Sequence, residues 1–278
     1  MAITGYLSNC YQDGGIECSR LIQNIRNADI PPSVSTIGSH AFSNCRSLAS
    51  VSIPSSAKTI EWAAFSGCKS LKSISIPSSV ESIQREAFKN CSSMSSLEFQ
   101  SPKTEIGPEA FSGCSSLTSV SIPSSASFIG EKAFYQCSSL TTLSLPSSIK
   151  RINRSAFQGC RSLTSITLPQ SLSFIGDNAF NGCKSLTTVS IPSSITRIFN
   201  GTFYNCSSLS SVSIPSSVSF IEDRAFEGCP LQCVNLSYHT KLGDRVFNRD
   251  TIILPPGKTL KSNSSSENKK GLMGFFKR

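Results

Sequence analysis

The sequence predicts a stacked solenoid, and three periodic features carry that expectation. Phenylalanine recurs at Phe42, Phe65, Phe88, Phe111, Phe134, Phe157, Phe180, Phe203 and Phe226, always 23 residues apart. Cysteine follows three residues later each time, from Cys45 and Cys68 through Cys91, Cys114, Cys137, Cys160, Cys183 and Cys206 to Cys229. Between these markers, apolar residues alternate with Ser and Thr. A period of roughly 20–50 residues marks an array whose units bury their apolar faces only against one another. Such an array presents surface rather than enclosing a pocket.

Each unit reads as strand, turn, short strand and helical turn. In the unit that begins at Ser116, Val120 and Ile122 alternate with Ser119 and Ser121, the period-2 pattern of a half-buried strand. Pro123 ends that strand because it has no N–H for a ladder, and the following Ser-Ser makes a turn. A second extended piece surrounds Ile60, Ile83, Ile106, Ile129, Ile152, Ile175, Ile198 and Ile221. Ala-Phe-x-x-Cys then has the i, i+1, i+4 spacing of one inward-packed helical turn. Gly67, Gly113, Gly159, Gly182 and Gly228 stand just before cysteine, where a tight exit favours glycine.

The frame Leu-x-x-Val-x-Ile-Pro-x-x-Val-x-x-Ile-x-x-x-Ala-Phe-x-x-Cys resembles the BspA-like (treponemal-type) leucine-rich repeat, from about Ile22 to Pro255. The resemblance implies a right-handed leucine-rich repeat solenoid with a parallel β-sheet on its concave face, and short strands and helical turns elsewhere. It also implies surface-antigen, adhesion and host-contact roles. Three parts are expected: residues 1–21 as a capping segment containing Cys10 and Cys18, residues 22–257 as the solenoid, and residues 258–278 as a flexible basic tail.

The frame has departures. Phe99-Gln100-Ser101-Pro102 displaces a proline by two positions and puts Lys103 at an otherwise apolar site, which predicts a local bulge. Val246-Phe247 arrives two residues early, and Ile253-Leu254-Pro255 closes the array.

Charged residues make up 15% of the chain, and regular apolar rows argue against disorder. Of the net charge of +9, the tail from Lys258 carries +5, because it holds six Lys/Arg and only Glu267 as an acid. The remaining +4 is too dilute for a nucleic-acid groove, so no nucleic-acid partner is expected. A basic n-region with an apolar stretch is not visible at the start, and no run of about 18 apolar residues occurs. These features predict a cytoplasmic location, with the cell surface as the alternative that the resemblance implies. Sequons at Asn90, Asn153, Asn200, Asn205, Asn235 and Asn263 read as chance matches in that setting.

Chemistry finds few seats. Zinc ligands cluster within a few residues, whereas the ladder cysteines stand one per unit. In-register side chains project in parallel and suit disulfides poorly. The nine thiols read as packing beside phenylalanine in a reducing compartment. Cys229 and Cys233 form the one close pair. His40 and His239, the only histidines, lie far apart in the array, and His40 reads as a solvated surface residue. No phosphate loop, nucleophile elbow or paired-carboxylate motif is present, so no enzyme, cofactor or metal is expected.

Two candidate binding features remain. Phe128, Arg151, Phe174, Arg197 and Phe220 occupy one column in consecutive units, immediately before the isoleucine. Units about 5 Å apart place each Arg within cation–π reach of flanking rings. The column is expected to act as a stabilising ladder or as a ligand stripe for a protein or glycan. The outward Ser and Thr of the first strands, such as Thr118, Ser119, Ser121, Thr141, Thr142 and Ser144, read as a solvated pavement, since hot spots under-represent these residues. In the tail, Leu272, Met273, Phe275, Phe276, Lys277 and Arg278 form an apolar segment closed by cations, which suits peripheral contact with an anionic membrane surface. A monomer is expected.

Overall fold

The protein is described by a computed structural model over residues 24–258. The chain winds as a parallel-strand β-solenoid in which a turn contributes two short strands, except that the turn at Ser165 keeps only an isolated bridge to Thr188 in place of its first strand. The first strands, among them Ser73–Ile76, Ser96–Phe99, Ser119–Ser121 and Thr142–Ser144, pair in parallel with the unit before or after. The second strands are two residues each, as at Phe128–Ile129 and Arg151–Ile152. Register follows the sequence period: Ser119 pairs with Thr142, Phe128 with Arg151, and Ile152 with Ile175.

The period works because inward positions repeat at the same height in every turn. Leu117, Val120, Ile122, Ile129, Ala133, Phe134 and Cys137 are all buried, and their equivalents join them in one continuous apolar core. Phenylalanine forms its spine. From Phe42 to Phe247 the rings stack one above another, with centroids 4.9–5.6 Å apart and planes within 10° of parallel. Such offset pairs contribute about 0.5–1.5 kcal/mol each beyond area burial.

One expectation is corrected. The Ala-Phe-x-x-Cys segments are turns, and no helix occurs among the described residues. In a helix every N–H would return to the carbonyl four residues earlier. Here Ala64, Ser66 and Cys68 bond back three residues, to Glu61, Ala63 and Phe65. The intervening N–H groups of Ala63, Phe65 and Gly67 point along the solenoid axis instead, to the Arg85, Ala87 and Lys89 carbonyls of the next turn. Stacking thus claims half of the donors that a helix would use, and each N–H from Ala63 to Cys68 has a carbonyl partner.

The irregular unit stays local. Lys103 is exposed, while Ser101 and Thr104 take the buried places. The Thr104 hydroxyl donates to the Val80 carbonyl at 2.7 Å. Register is recovered at once, with Ile83 opposite Ile106. At the far end the step shortens. Phe220 pairs with Lys241 and Val234 with Ile253, yet Phe247 still stacks on Phe226 at 5.4 Å. Asn248 substitutes for a further turn: its amide accepts from Gly228 N–H at 2.8 Å and donates to the Cys229 carbonyl at 2.7 Å.

Candidate functional site

The phenylalanine–arginine column is built by the second strands. Each of its residues precedes the buried isoleucine, so strand alternation turns it outward. Phe128 pairs in register with Arg151, Arg151 with Phe174, and Arg197 with Phe220. The Arg151 guanidinium lies 4.1 Å from the centroid of Phe174. Arg197 sits 5.0 Å from the Phe220 ring and 5.4 Å from that of Phe199, and it is ion-paired with Glu222. Phe128 is 36% exposed, and no cation–ring contact joins it to Arg151 among the described residues.

Phe199 and Glu222 belong to this cluster and were not singled out from the sequence. Phe199 packs against Phe174 with centroids 5.0 Å apart and planes inclined by 56°. Their column follows the isoleucine and holds glycine or polar residues in other turns, such as Glu61, Gln84, Gly107, Gly130, Asn153 and Gly176, so Phe199 is its one aromatic departure. The ladder of second strands is interrupted there, between Phe174–Ile175 and Arg197–Ile198.

The hydroxyl pavement is exposed on the first strands. Part of it is structural: Thr141 donates to the Thr118 carbonyl of the turn before at 3.0 Å. Several serines that close Pro-Ser-Ser turns do likewise, as from Ser56 to the Val34 carbonyl and from Ser217 to that of Ile195, whereas the Ser79 hydroxyl is buried without a partner among the described residues.

The cysteine ladder has a geometry that periodicity does not reveal. Each thiol from Cys68 to Cys229 lies 3.1–3.3 Å from the carbonyl oxygen of phenylalanine in the preceding turn and donates to it. Burial pushes the thiols of Cys91, Cys114, Cys137, Cys160 and Cys183 up, to about 12 for Cys114 and Cys183. The thiolate, which is the nucleophile and metal ligand, is therefore suppressed. Cys229 is buried in this ladder, whereas Cys233 lies half-buried on a strand. His40 packs edge-on against Trp62, 4.4 Å between centroids, so it is less solvated than its position suggested. The capping segment and the tail residues Leu272, Met273, Phe275, Phe276, Lys277 and Arg278 lie outside the described residues.

An ion-pair network marks the neighbouring turn face. Lys89 holds Glu109 at 2.7 Å and Glu86 at 3.5 Å, and Arg85 reaches Glu109 at 3.0 Å. Burial alone would raise the Glu109 carboxyl, but the Lys89 hydrogen bond and the charges of Lys89, Arg85 and Lys132 outweigh it and hold the group below the usual carboxylate range. No helix among the described residues is long and apolar enough to cross a membrane.

Strand, turn, strand and buried Phe-x-x-Cys, repeated in parallel register, define a leucine-rich β-solenoid. The chain belongs to the BspA-type leucine-rich repeat family, matching the description "BspA type Leucine rich repeat region" in six copies over residues 18–141 and 127–253. No curated protein matches it. Among solved structures, it is similar to a leucine rich cell surface protein from Faecalibacterium prausnitzii, at 24% identity and a TM-score of 0.53, over 84% of this chain and 89% of that one. It is 34% identical to a leucine-rich repeat protein from Eubacterium ventriosum, with a TM-score of 0.53, over 57% of this chain and 43% of that one. A T. pallidum leucine-rich repeat protein matches at 31% identity and a TM-score of 0.49, over 63% of this chain and 74% of that one.

Proposed function

We propose that this solenoid is a non-enzymatic binding protein of the adhesion and surface-antigen kind, which engages a protein or glycan through its outer second-strand face. The observation that carries this reading is the stripe of Arg151, Phe174, Arg197, Phe199 and Phe220. Binding hot spots favour arginine and aromatic side chains held in rigid surroundings. The stripe concentrates both on a surface otherwise rich in Ser and Thr. Arg197 is already ion-paired, whereas Arg151 has a ring beneath it and no carboxylate within 4.0 Å among the described residues. A guanidinium so placed is ready to take a ligand carboxylate in a bidentate pair.

Surface labelling of intact cells, combined with affinity recovery of partners, tests this reading. Exposure to the label and recovery of one partner are expected. The Arg151→Ala/Arg197→Ala double variant should recover on the order of tenfold less, the loss of one charged contact. Protection from the label, or undiminished recovery by the variant, would sink it. A second reading, a scaffold held to an anionic membrane surface by the tail, rests on that segment's apolar and basic composition. Liposome flotation of the full chain against a 1–257 truncation tests it, and equal partitioning would end it.

A further inference from the structure

We propose that a second binding site lies on the turn face: a groove across five consecutive turns that takes an anionic oligosaccharide, one bearing carboxylate or sulfate groups. The site is distinct from the phenylalanine–arginine stripe and does not depend on it.

The groove has a volume of about 560 Å³, inside the range of roughly 300–1,000 Å³ typical of ligand clefts. Its shape comes from the repeat. The position two residues after phenylalanine alternates between an amide side chain and glycine: Asn90, Gly113, Gln136, Gly159. The amide covers the glycine of the next turn, with Asn90 lying where a Cβ on Gly113 would stand, so amide groups line this side of the groove, and the backbone at Gly113 is left-handed with φ +75°.

The lining is polar where ligand clefts are usually apolar. Ser112, Tyr135, Gln136, Ser155 and Gln158 all face it. None of their side chains makes a hydrogen bond to another of the described residues, although Ser112 and Ser155 are buried. Amides and hydroxyls each donate and accept, which matches the vicinal hydroxyls of a sugar. The site offers no apolar pocket of the kind that reads the side chains of an extended peptide.

The charge at the groove has one sign available. Glu109, its only carboxylate, is committed to Lys89 and Arg85. Lys132 is only loosely engaged, at 3.7 Å from Glu131. Arg154 has no ion pair among the described residues, even with Asp177 in the next turn, and no acidic residue stands between Lys132 and Asp177 in sequence. These two cations on a sugar-like lining select an acidic saccharide over a neutral one.

The test is titration calorimetry of the full chain with three probes of similar length: an oligogalacturonide, a heparin-derived oligosaccharide and a neutral cello-oligosaccharide. Binding of at least one acidic probe and none of the neutral one is expected, and the acidic probe preferred identifies carboxylate or sulfate as the group read. Arg154→Gln should weaken that binding on the order of tenfold, and Gln158→Ala by a smaller factor, with melting temperatures unchanged. The proposal is overturned if neither acidic probe binds, if the neutral probe binds equally, or if Arg154→Gln and Gln158→Ala leave affinity unaltered. A poly-glutamate peptide that binds as tightly as the sugars would overturn it in favour of a charge-only surface.

Discussion

Two residues before and two residues after each phenylalanine, the backbone takes a left-handed turn, with φ between 52° and 81° from His40 to Arg245. For residues other than glycine this costs roughly 1–2 kcal/mol each. It persists because it aims alternate N–H groups at the next turn of the solenoid. The later column was legible, since Gly67, Gly113 and Asn205 are residue types that tolerate positive φ. The earlier column was not: Ala63, Glu86 and Lys132 give no local signal, and only stacking explains their conformation. A Cβ at Gly113 would come within 3.3 Å of the Asn90 side-chain carbon, and nearer still to its oxygen, whereas one at Gly182 would meet nothing closer than 4.0 Å. Gly182→Ala should therefore lose about 1–2 kcal/mol, the backbone cost alone. Gly113→Ala should lose more, and Asn90→Gly should restore the difference. Urea melts of the four variants measure this, and equal losses at both glycines would refute the steric pairing.

The phenylalanine stack and the thiol ladder are the elements that join one turn to the next. Phe134 touches rings on both sides, at 5.5 and 5.6 Å. Phe134→Ala should destabilise by about 3–5 kcal/mol, as for other large-to-small core changes, and equilibrium unfolding would show it. The stripe outside the stack should matter less to stability. An exposed cation–π contact contributes about 0.5–1 kcal/mol, so Arg151→Ala should lower stability by no more than that while reducing ligand capture. A larger loss would assign the column to stability alone. The column was legible because Phe and Arg alternate at one fixed position. Phe199 and Glu222, one position on, were missed because their closeness depends on how side chains lean across turns.

Across the whole molecule, the buried thiols couple stability to pH. Their values rise on folding from an ordinary 9.0 to about 12 at Cys45, Cys114 and Cys183. The unfolded chain therefore loses protons first as pH rises, and linkage makes stability fall over that interval. Below about pH 9 the stabilisation is complete; toward pH 12 it is progressively lost. Denaturant midpoints should decline across this window, and the decline should shrink when Cys114 and Cys183 are replaced by Ala. A pH-independent midpoint would rule out ionisation of the ladder. At neutral pH a thiol reagent should leave the nine ladder cysteines unmodified until the chain unfolds.

By itself, the sequence determined the architecture, because a 23-residue period admits no core except one shared between neighbouring turns. It also determined which residues face inward, the ladder cysteines beside the phenylalanines among them. Tertiary structure alone decided three things. The Phe-x-x-Cys segment is an open turn, since half its N–H groups serve the next unit. Each thiol is a hydrogen-bond donor to the unit before it. Residues far apart in sequence, from Lys89 to Asn178, line one groove. The physical reason is common to all three: local pattern dictates what a residue prefers to bury, while stacking at about 5 Å dictates which neighbour it meets.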